Sequence, residues 1–273
     1  MKKLILLLAI GCAVFFYMNR EEDKPKKIIR IGVECAYVPN NWEETKPTES
    51  NLPIANDEGL YAEGYDVQIA KLVSEKLNLQ PQIMKIDWEN LIDALNEGEI
   101  DAIFSGMTDT SERKRSINFS ETYSIKSTEY AIMIQKTSPF ANASKLSDFA
   151  GARILGQRGT KLDEVIEQIP RVIHVRPADS IPEMVKQLLA NRVDGVVINL
   201  DTAHSHMRND KNITVVSFIK GDGFELDFTG ACVGVRKSDE TLLAKINEAI
   251  ESISKRDRQK IMDQTLARVW KNL

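Results

Sequence analysis

The sequence of this 273-residue chain predicts an α/β fold with two lobes. Two segments of one design carry the prediction, LIDALNEGEIDAIFSG at 91–106 and MVKQLLANRVDGVVIN at 184–199. Each runs from an amphipathic helix through a short polar turn to an Asp, a small residue and an apolar strand. A nearly continuous apolar strand is typical of a strand covered on both faces, as in a parallel sheet with crossover helices. Because this unit occurs twice, we expect two sheets and therefore two lobes.

Hydrophobic spacing places the individual elements in order along the chain. Apolar residues recur at helical spacing from Trp88 to Leu95, Asp87 can cap this helix, and Gly98 can end it. The elements predicted in the first part of the chain are strands at 28–33, 83–86 and 100–104 and helices at 67–77 and 88–95. Those predicted further on are strands at 129–135, 196–198 and 231–235, a helix around 184–189, and closing helices at 242–253 and 256–270. If the closing helices pack on the first lobe, the chain crosses between the lobes twice.

The composition excludes several classes of protein. With 42% hydrophobic and 28% charged residues the chain is globular rather than disordered or fibrous, and its length suits one or two domains. The formal net charge of −4 gives no general attraction to nucleic acid or to anionic lipid. We therefore expect no nucleic-acid partner.

The N-terminus has the layout of an export signal. Lys2 and Lys3 precede an apolar run at 4–10, and the small residues Ala9 and Gly11 stand where a signal peptidase needs them. Such a segment directs the folded body out of the cytoplasm.

Cys12 leaves three interpretations of this segment open. The sequence at 9–12, AIGC, resembles the bacterial lipobox, in which the cysteine becomes the lipidated first residue. The apolar run at 4–18 could instead be an uncleaved anchor, although a bilayer-spanning helix needs about 20 residues. Cleavage and secretion is the third interpretation. Lipidation is favoured, and it would tether the protein to the membrane.

The stretch 19–27, NREEDKPKK, is charged and lacks hydrophobic periodicity, so we assign 1–27 to a head and a flexible tether. The body starts near Ile28. Its two cysteines, Cys35 and Cys232, lie in apolar or small surroundings nearly two hundred positions apart. A disulfide is possible outside the cell, and buried free thiols are the favoured alternative.

The loop at 105–113, SGMTDTSER, follows a predicted buried strand. Ligands of open α/β sheets bind at the carboxyl ends of the strands, so this loop is a candidate site. Asp109 or Thr110 can cap a new helix that places Arg113 in its first turn, where a cation opposes the helix dipole unless an anion lies beside it. Arg113 either pairs with Glu112 or Glu121, or remains solvated, or holds a ligand carboxylate through two parallel hydrogen bonds.

Three stretches together identify a family. GYDVQIAKLVSEKL at 64–77, the run DWENLIDALNEGEIDAIFSGMTDTSERKRSINFSETY at 87–123, and GQRGT at 156–160 closely resemble the amino-acid-binding proteins of bacterial ABC importers. The resemblance extends from about 28 to the C-terminus and implies the type-II periplasmic-binding-protein fold. In this fold two α/β lobes, joined by two hinge strands, close on one amino acid. Here 28–126 with 229–273 would form lobe 1, and 127–228 would form lobe 2.

The resemblance also implies roles for single residues. Arg113 matches the arginine that binds the ligand carboxylate, and Glu34 matches an acidic position that meets the far end of the ligand side chain. Tyr37 and Tyr65 match an aromatic clamp. The remaining matches are backbone and hydroxyl contacts to the carboxylate or the α-amino group, at Ser105, Gly106, Met107 and Thr108 in lobe 1 and at Gly159, Thr160 and Lys161 at a helix start in lobe 2.

One position departs from the family pattern. The family holds the ligand ammonium with an Asp after the buried strand of the second lobe, and this chain has Asn199 there, with Asp201 two places on. An Asn supplies no charge, and a charge-assisted hydrogen bond is about twice as strong as a neutral one. Asp201 takes over the role, or Glu34 and Thr108 hold the ammonium, or the ligand is not a simple α-amino acid.

A long polar segment and a pair of histidines are further candidates for a functional role. The polar segment 38–61 is either a lid or a disordered insertion, and Trp42 within it either covers the ligand or lies in the core. His204 and His206 are two positions apart and do not share a helix face, so we expect no metal site and no cofactor.

The resemblance implies a binding protein, not an enzyme. It would be a monomer outside the cytoplasm, tethered to the membrane or periplasmic, that presents a captured polar or basic amino acid to the permease of an ABC importer. Two alternatives stay open: a dehydratase of the cyclohexadienyl or arogenate type, with Glu34 or Asp201 as general acid, and an extracellular sensor module. The sensor is disfavoured because no signalling domain follows before Leu273.

Overall fold

Two five-stranded sheets form the frame of the molecule, one in each lobe, which confirms the predicted α/β class. The computed structural model describes residues 26–125, 129–227 and 230–271. Residues 1–25 of the predicted head and tether at 1–27, with Cys12, and the predicted crossings between the lobes near 126 and 229 lie outside these ranges. None of the helices within them is long and apolar enough to cross a lipid bilayer.

The first sheet is built from β1 (Lys27–Val33), β6 (Leu79–Lys85), β7 (Ala102–Ile103), β8 (Ile117–Thr122) and β14 (Cys232–Arg236), in the order β6-β1-β7-β14-β8. Strand β1 is parallel to β6 and β7, whereas β14 is antiparallel to both of its neighbours. Strand β14 therefore comes back from the second lobe and inserts between two strands of the first.

The second sheet repeats this plan with β9 (Tyr130–Gln135), β10 (Arg153–Leu155), β11 (Ile173–His174), β12 (Gly195–Asn199) and β13 (Ile213–Val216), in the order β11-β10-β12-β9-β13. Strand β10 is parallel to β11 and β12, and β9 is antiparallel to β12 and β13. The expectation of parallel sheets was incomplete, because in each lobe the strand that arrives from the other lobe runs in the opposite direction.

The Asp shared by the two repeated segments has the same structural role in both lobes. Asp101 accepts hydrogen bonds from the backbone nitrogen of Arg30 at 2.9 Å and from its guanidinium at 3.1 and 2.8 Å. Asp194 accepts the equivalent bonds from Arg153 at 2.8, 3.1 and 2.8 Å. Each pair joins the turn before one strand to the neighbouring strand, at the middle of β1 in lobe 1 and at the start of β10 in lobe 2, and so fixes the alignment of the two.

Helices cover the sheets near their predicted places. The longer ones are α1 (Tyr65–Lys76), α5 (Ile181–Leu189), α6 (Leu200–Asn209), α7 (Glu240–Glu251) and α8 (Lys255–Lys271). The closing helix α8 reaches back to lobe 1, where Gln68 of α1 donates a 2.8 Å hydrogen bond to Thr265. The shorter ones are α2 (Leu91–Asn96), α3 (Arg113–Ser116) and α4 (Lys161–Glu164). A 3₁₀ turn (Trp88–Asn90) precedes α2, and Asp87 makes no side-chain capping bond there, so the predicted cap was wrong.

The segment 38–61 belongs to an ordered antiparallel sheet rather than to a lid or a disordered insertion, so both expectations for it were wrong. Its strands are β2 (Ala36–Tyr37), β3 (Asn41–Glu44), β4 (Leu52–Pro53) and β5 (Tyr61–Glu63), in the order β2-β3-β5-β4. A bridge between Ile54 and Ile83 joins this sheet to the first one. Trp42 is buried and donates from Nε1 to Glu44, so it is a core residue.

Both cysteines of the described body are buried free thiols. Cys35 lies just after β1 with a positive φ of 59°, and Cys232 begins β14. The favoured interpretation of free thiols therefore holds in this structure.

Candidate ligand-binding site

Arg113 is a partly buried cation at the meeting of the two lobes. Its backbone nitrogen donates to Thr110 Oγ1 at 3.2 Å, which fixes the start of α3. One guanidinium nitrogen donates to the carbonyl and hydroxyl oxygens of Thr108 at 2.9 and 3.0 Å, and the other donates to the Gly159 carbonyl at 2.9 Å. Burial lowers the pKa of Arg113. A guanidinium with these partners is suited to receive an anion.

Neither Glu112 nor Glu121, the carboxylates that could pair with Arg113, accepts a hydrogen bond from its guanidinium in the described part of the chain. In the described part of the chain, the groups that accept from Arg113 are uncharged oxygens. Glu112 instead lies 4.0 Å from Arg115 on the surface. The interpretation of Arg113 as half of a simple ion pair with Glu112 or Glu121 is therefore not what the structure has.

The loop after β7 shapes the wall of the cleft. Gly106 has a positive φ of 65°, and a Cβ atom there would lie 2.8 Å from the Tyr37 ring. Glycine is needed both for the backbone and for the close approach of this ring. Ser105 is buried and its Oγ accepts from the Glu34 backbone nitrogen at 3.0 Å. Met107 packs in the core, and its carbonyl accepts from Cys232 at 2.8 Å, so its side chain does not line the cleft.

Glu34 is a buried acid at the carboxyl end of β1, with only 7% of its surface exposed. Burial raises the pKa of its carboxyl group to about 7, and the nearby negative charge of Asp87 adds to this rise. Gln157 of lobe 2 donates from Nε2 to Glu34 Oε1 at 2.6 Å, which opposes it. Gln157 was missed in the sequence analysis, although it stands within the GQRGT motif.

Three aromatic residues, Tyr37, Trp88 and Tyr130, line the cleft beside these charges. Tyr37 comes from lobe 1 and packs against the apolar core of lobe 2. Trp88 lies with its ring centroid 5.0 Å from the Arg113 guanidinium carbon, and its Nε1 donates to the Gly159 carbonyl at 3.3 Å. Trp88 was predicted only as part of a helix face. The signal that could have found it is its place directly after β6, at a carboxyl strand end.

Tyr65, predicted as half of the aromatic clamp, does not line this cleft. It starts α1, it is buried, and its hydroxyl donates to the Tyr123 carbonyl at 2.8 Å. Its ring packs against that of Tyr123 with 6.2 Å between centroids. The aromatic residues that line the cleft with Arg113 and Glu34 are therefore Tyr37, Trp88 and Tyr130.

Lobe 2 contributes the start of α4. Thr160 is the N-cap residue: its Oγ1 accepts from the Leu162 backbone nitrogen at 3.1 Å and donates to the Gln157 carbonyl at 2.7 Å. Lys161 lines the cleft, and its ammonium lies 2.8 Å from Glu164. Gly159, with a φ of 66°, turns its carbonyl toward Arg113 and Trp88 of lobe 1. The two lobes thus meet across this loop.

The predicted site residues divide between two adjacent cavities that share four lining residues. We call the first the ligand cleft; it has a volume of about 40 Å³, and its walls include Glu34, Tyr37, Trp88, Ser105, Arg113 and Gln157. We call the other the second cavity; it has a volume of about 190 Å³, and its walls include Tyr65, Asp66, Glu129, Asn199, Asp201 and Gln259. Tyr37, Gly106, Thr108 and Tyr130 line both.

Asn199 caps a helix in the second cavity. Its Oδ1 accepts from the Asp201 backbone nitrogen at 3.0 Å at the start of α6. This oxygen supplies the cap of α6, and Asn199 as a whole lines the second cavity without adding a charge to it. Asn199 and Asp201 line the second cavity, whereas Arg113 lines the ligand cleft. The structure therefore does not bring these three residues together in one cavity.

His204 and His206 lie on α6. Across the described ranges, no group of three or more His, Cys, Asp or Glu residues is arranged to hold a metal ion.

Comparisons with known proteins agree with this geometry. The sequence model of the bacterial extracellular solute-binding proteins, family 3, matches residues 29–266. An L-arginine-binding protein of Pseudomonas aeruginosa is 31% identical over 260 residues, which cover 93% of this chain and 92% of that protein. The arginine-binding extracellular protein ArtP of Bacillus subtilis is 25% identical, with 93% of each chain covered. Among solved structures, an ancestral arginine-binding protein bound to glutamine is 26% identical with a TM-score of 0.71, over 88% of this chain and 98% of that one.

Proposed function

This chain belongs to the bacterial extracellular solute-binding proteins of family 3, and from this membership we propose that its ligand cleft captures a basic or polar amino acid for an ABC importer. The observation that carries the proposal is that a partly buried cation, Arg113, and a buried acid, Glu34, line the same cleft. An α-amino acid with a cationic or amide side chain has matching groups at its two ends. The names of the arginine-binding relatives and the glutamine bound to an ancestral one support this choice.

In the proposed complex the ligand carboxylate replaces the Gly159 carbonyl as a partner of Arg113. A planar guanidinium can hold a carboxylate through two parallel hydrogen bonds, which are stronger than the bond to a neutral carbonyl. The side chain then runs between Tyr37 and Trp88, and its end meets Glu34. Thr160 and Lys161 at the start of α4 complete the carboxylate contacts from lobe 2.

The ammonium group of the ligand then lies at the junction of the two cavities. Thr108 and Gly106 line both cavities, so their backbone and hydroxyl groups are within reach of a group placed there. Asn199 adds no charge and its oxygen caps α6. We therefore assign the ammonium to Thr108 rather than to Asn199, with Asp201 adding negative charge from the second cavity.

Closure of the lobes accompanies capture. Contacts that join the lobes in this structure include Arg113 and Trp88 with the Gly159 carbonyl, Gln157 with Glu34, and Arg158 with Glu89 at 3.1 Å. A ligand that contacts both lobes binds the closed form more tightly than the open form and therefore favours closure. The importer would then receive the closed form. The relatives are named as binding proteins, which favours a binding protein over a dehydratase.

The protein works outside the cytoplasm, as its family does. We further propose that it is a monomer tethered through a lipid on Cys12, and that its partner is the permease of the importer. An uncleaved anchor at 4–18 would serve the same purpose. Metabolic labelling with palmitate separates these: the parent should be labelled and a Cys12→Ser variant should not, whereas equal labelling or no label on the parent would contradict lipidation.

The ligand itself is tested by calorimetry with a panel of amino acids. We expect L-arginine, L-lysine, L-ornithine or L-glutamine to bind, and L-leucine and L-aspartate to bind at least about tenfold more weakly. The ligand retained through purification, identified by mass spectrometry, should come from the first group. A protein that binds none of the first group at millimolar concentration would contradict the proposal.

A further inference from the structure

Two residues that face the ligand also hold the loop assigned to its ammonium group. The Glu34 backbone nitrogen donates to Ser105 Oγ at 3.0 Å. Arg113 donates to the carbonyl and hydroxyl oxygens of Thr108 at 2.9 and 3.0 Å. In the proposed complex the Glu34 carboxylate and the Arg113 guanidinium also bind the ligand, so these two supports change when it enters. The loop between them needs a third support that is independent of the ligand.

Tyr123 supplies this support from the interior of lobe 1. Its hydroxyl oxygen accepts from the Gly106 backbone nitrogen at 3.2 Å, and its hydroxyl group donates to Asp66 Oδ1 at 2.9 Å. Asn41 donates to Asp66 Oδ2 at 2.8 Å, and its own Oδ1 accepts from the Cys35 backbone nitrogen at 2.9 Å. A chain of hydrogen bonds therefore links the loop after β7 to the turn after β1.

A tyrosine hydroxyl suits its place in this chain because it accepts on one side and donates on the other. The N–H group of Gly106 needs an acceptor, and the carboxyl group of Asp66 needs a donor. Burial raises the pKa of Tyr123 well above its ordinary value, so the hydroxyl keeps its proton. A phenylalanine in its place would leave the Gly106 N–H without this acceptor, and an unpaired buried donor is unfavourable.

The ring of Tyr123 is held independently of its hydroxyl group. Tyr123 is 1% exposed, and its ring centroid lies 6.2 Å from that of Tyr65 and 6.0 Å from that of Phe104. Its backbone nitrogen donates to the Ala231 carbonyl at 3.0 Å. Because the ring is fixed in the core of lobe 1, its hydroxyl gives the Gly106 N–H one defined position. Removal of the hydroxyl alone should leave the packing of the ring intact.

We propose that Tyr123 is a positioning residue for the α-amino end of the ligand: its hydroxyl fixes the Gly106 N–H and thereby the backbone from Gly106 to Thr108 that receives the ammonium group. The inference rests on the proposed function, which assigns the ammonium group to this loop. Loss of the hydroxyl should therefore weaken a ligand that has an α-ammonium group more than a ligand that lacks one.

The test is calorimetry of Tyr123→Phe with L-arginine and with δ-guanidinovalerate, which is arginine without its α-amino group. Displacement by arginine gives the affinity of the weaker probe. We expect Tyr123→Phe to weaken arginine by about tenfold and δ-guanidinovalerate by less than about twofold. Equal losses for the two probes would mean a purely structural role and would overturn the inference. If the variant binds arginine within twofold of the parent, the inference is wrong and the proposed function stands. If the parent does not bind arginine, both proposals fail.

Ser74→Ala is the matched control, because it also removes one buried hydroxyl group. The Ser74 hydroxyl donates to the Ala70 carbonyl at 2.7 Å within α1, and Ser74 lines neither cavity. Ser74→Ala should bind both probes within twofold of the parent. A loss of arginine affinity in Ser74→Ala equal to that in Tyr123→Phe would overturn the assignment of the effect to the Gly106 loop.

Discussion

Gln157 of lobe 2 donates a 2.6 Å hydrogen bond to the buried carboxyl group of Glu34 in lobe 1. The bond therefore couples the protonation state of Glu34, which would meet the ligand, to the contact between the lobes. Since burial raises the pKa of Glu34 to about 7, its charge changes close to neutral pH.

Binding of L-arginine should therefore weaken as the pH falls. A ligand guanidinium requires the carboxylate form of Glu34. Because the pKa of Glu34 is about 7, binding must release a proton once the pH falls below that value. The affinity should fall by up to about tenfold for each pH unit below that value. Calorimetry from about pH 8 to about pH 5.5, in two buffers of different ionisation enthalpy, measures both the affinity and the proton released.

Two controls accompany this pH series. L-glutamine, whose side chain is neutral, should lose no affinity over the same range. Glu34→Gln should bind arginine more weakly and should lose the pH dependence. An arginine affinity that is equal at both ends of the range would exclude Glu34 as the partner of the ligand cation.

Gly106→Ala should impair both stability and binding. The added Cβ would lie 2.8 Å from the Tyr37 ring at a φ of 65°, so strain of the backbone and overpacking act together, at about 2–4 kcal/mol. Gly59→Ala is the matched control, since its φ is 83° and nothing lies within 4 Å of the added carbon. It should cost about 1 kcal/mol with no loss of affinity. Denaturant unfolding and calorimetry measure the two effects, and equal losses in both variants would argue against the close approach of Tyr37.

Trp88→Ala should weaken arginine binding by about tenfold or more, because the indole ring holds the Arg113 guanidinium at 5.0 Å and forms one wall of the cleft. Trp88→Phe keeps a ring and should bind within about threefold of the parent. Trp88 is half-buried, so both variants should melt near the parent temperature.

Tyr65→Phe tests the other aromatic residue; it should affect stability through the lost bond to Tyr123 more than it affects affinity.

Asp194→Asn should lower the free energy of unfolding by about 1–2 kcal/mol at neutral pH, since it removes the charge that Arg153 binds in two places. The hydrogen bond from Arg153 lowers the pKa of Asp194. A lowered pKa stabilises the fold above the unfolded value of 3.8 and loses this effect as the pH falls through the folded value. The difference between variant and parent should therefore vanish in acid. A difference that persists at low pH would mean that the loss comes from packing.

Much of the fold could be predicted because local patterns determine it. The repeated helix-turn-strand unit, with Asp101 and Asp194, predicted the two sheets, and apolar periodicity placed the helices. The orientation of β9 and β14 could not be predicted, because it depends on crossings between lobes that leave no local pattern. The strands of the segment at 38–61 are two to four residues long, too short for an alternating pattern to be distinguished from a loop.

The candidate site was predicted where residues follow strand ends. Arg113 was predicted in this way and Glu34 from the family resemblance, and both line the ligand cleft. The resemblance also placed Tyr65 in the clamp, but it does not show which way a side chain at a helix start points; in the structure the Tyr65 hydroxyl is bound to the Tyr123 carbonyl. Gln157 and Trp88 were missed because their contacts cross between lobes.

The central claim, that Arg113 binds the carboxylate of an amino acid, is tested most directly by calorimetry of Arg113→Ala with L-arginine. Arg115→Ala is the matched control, because Arg115 is exposed two positions away and pairs only loosely with Glu112 at 4.0 Å. We predict that Arg113→Ala loses about a hundredfold in affinity, whereas Arg115→Ala stays within twofold of the parent. A folded Arg113→Ala protein that binds arginine as tightly as the parent would contradict the account.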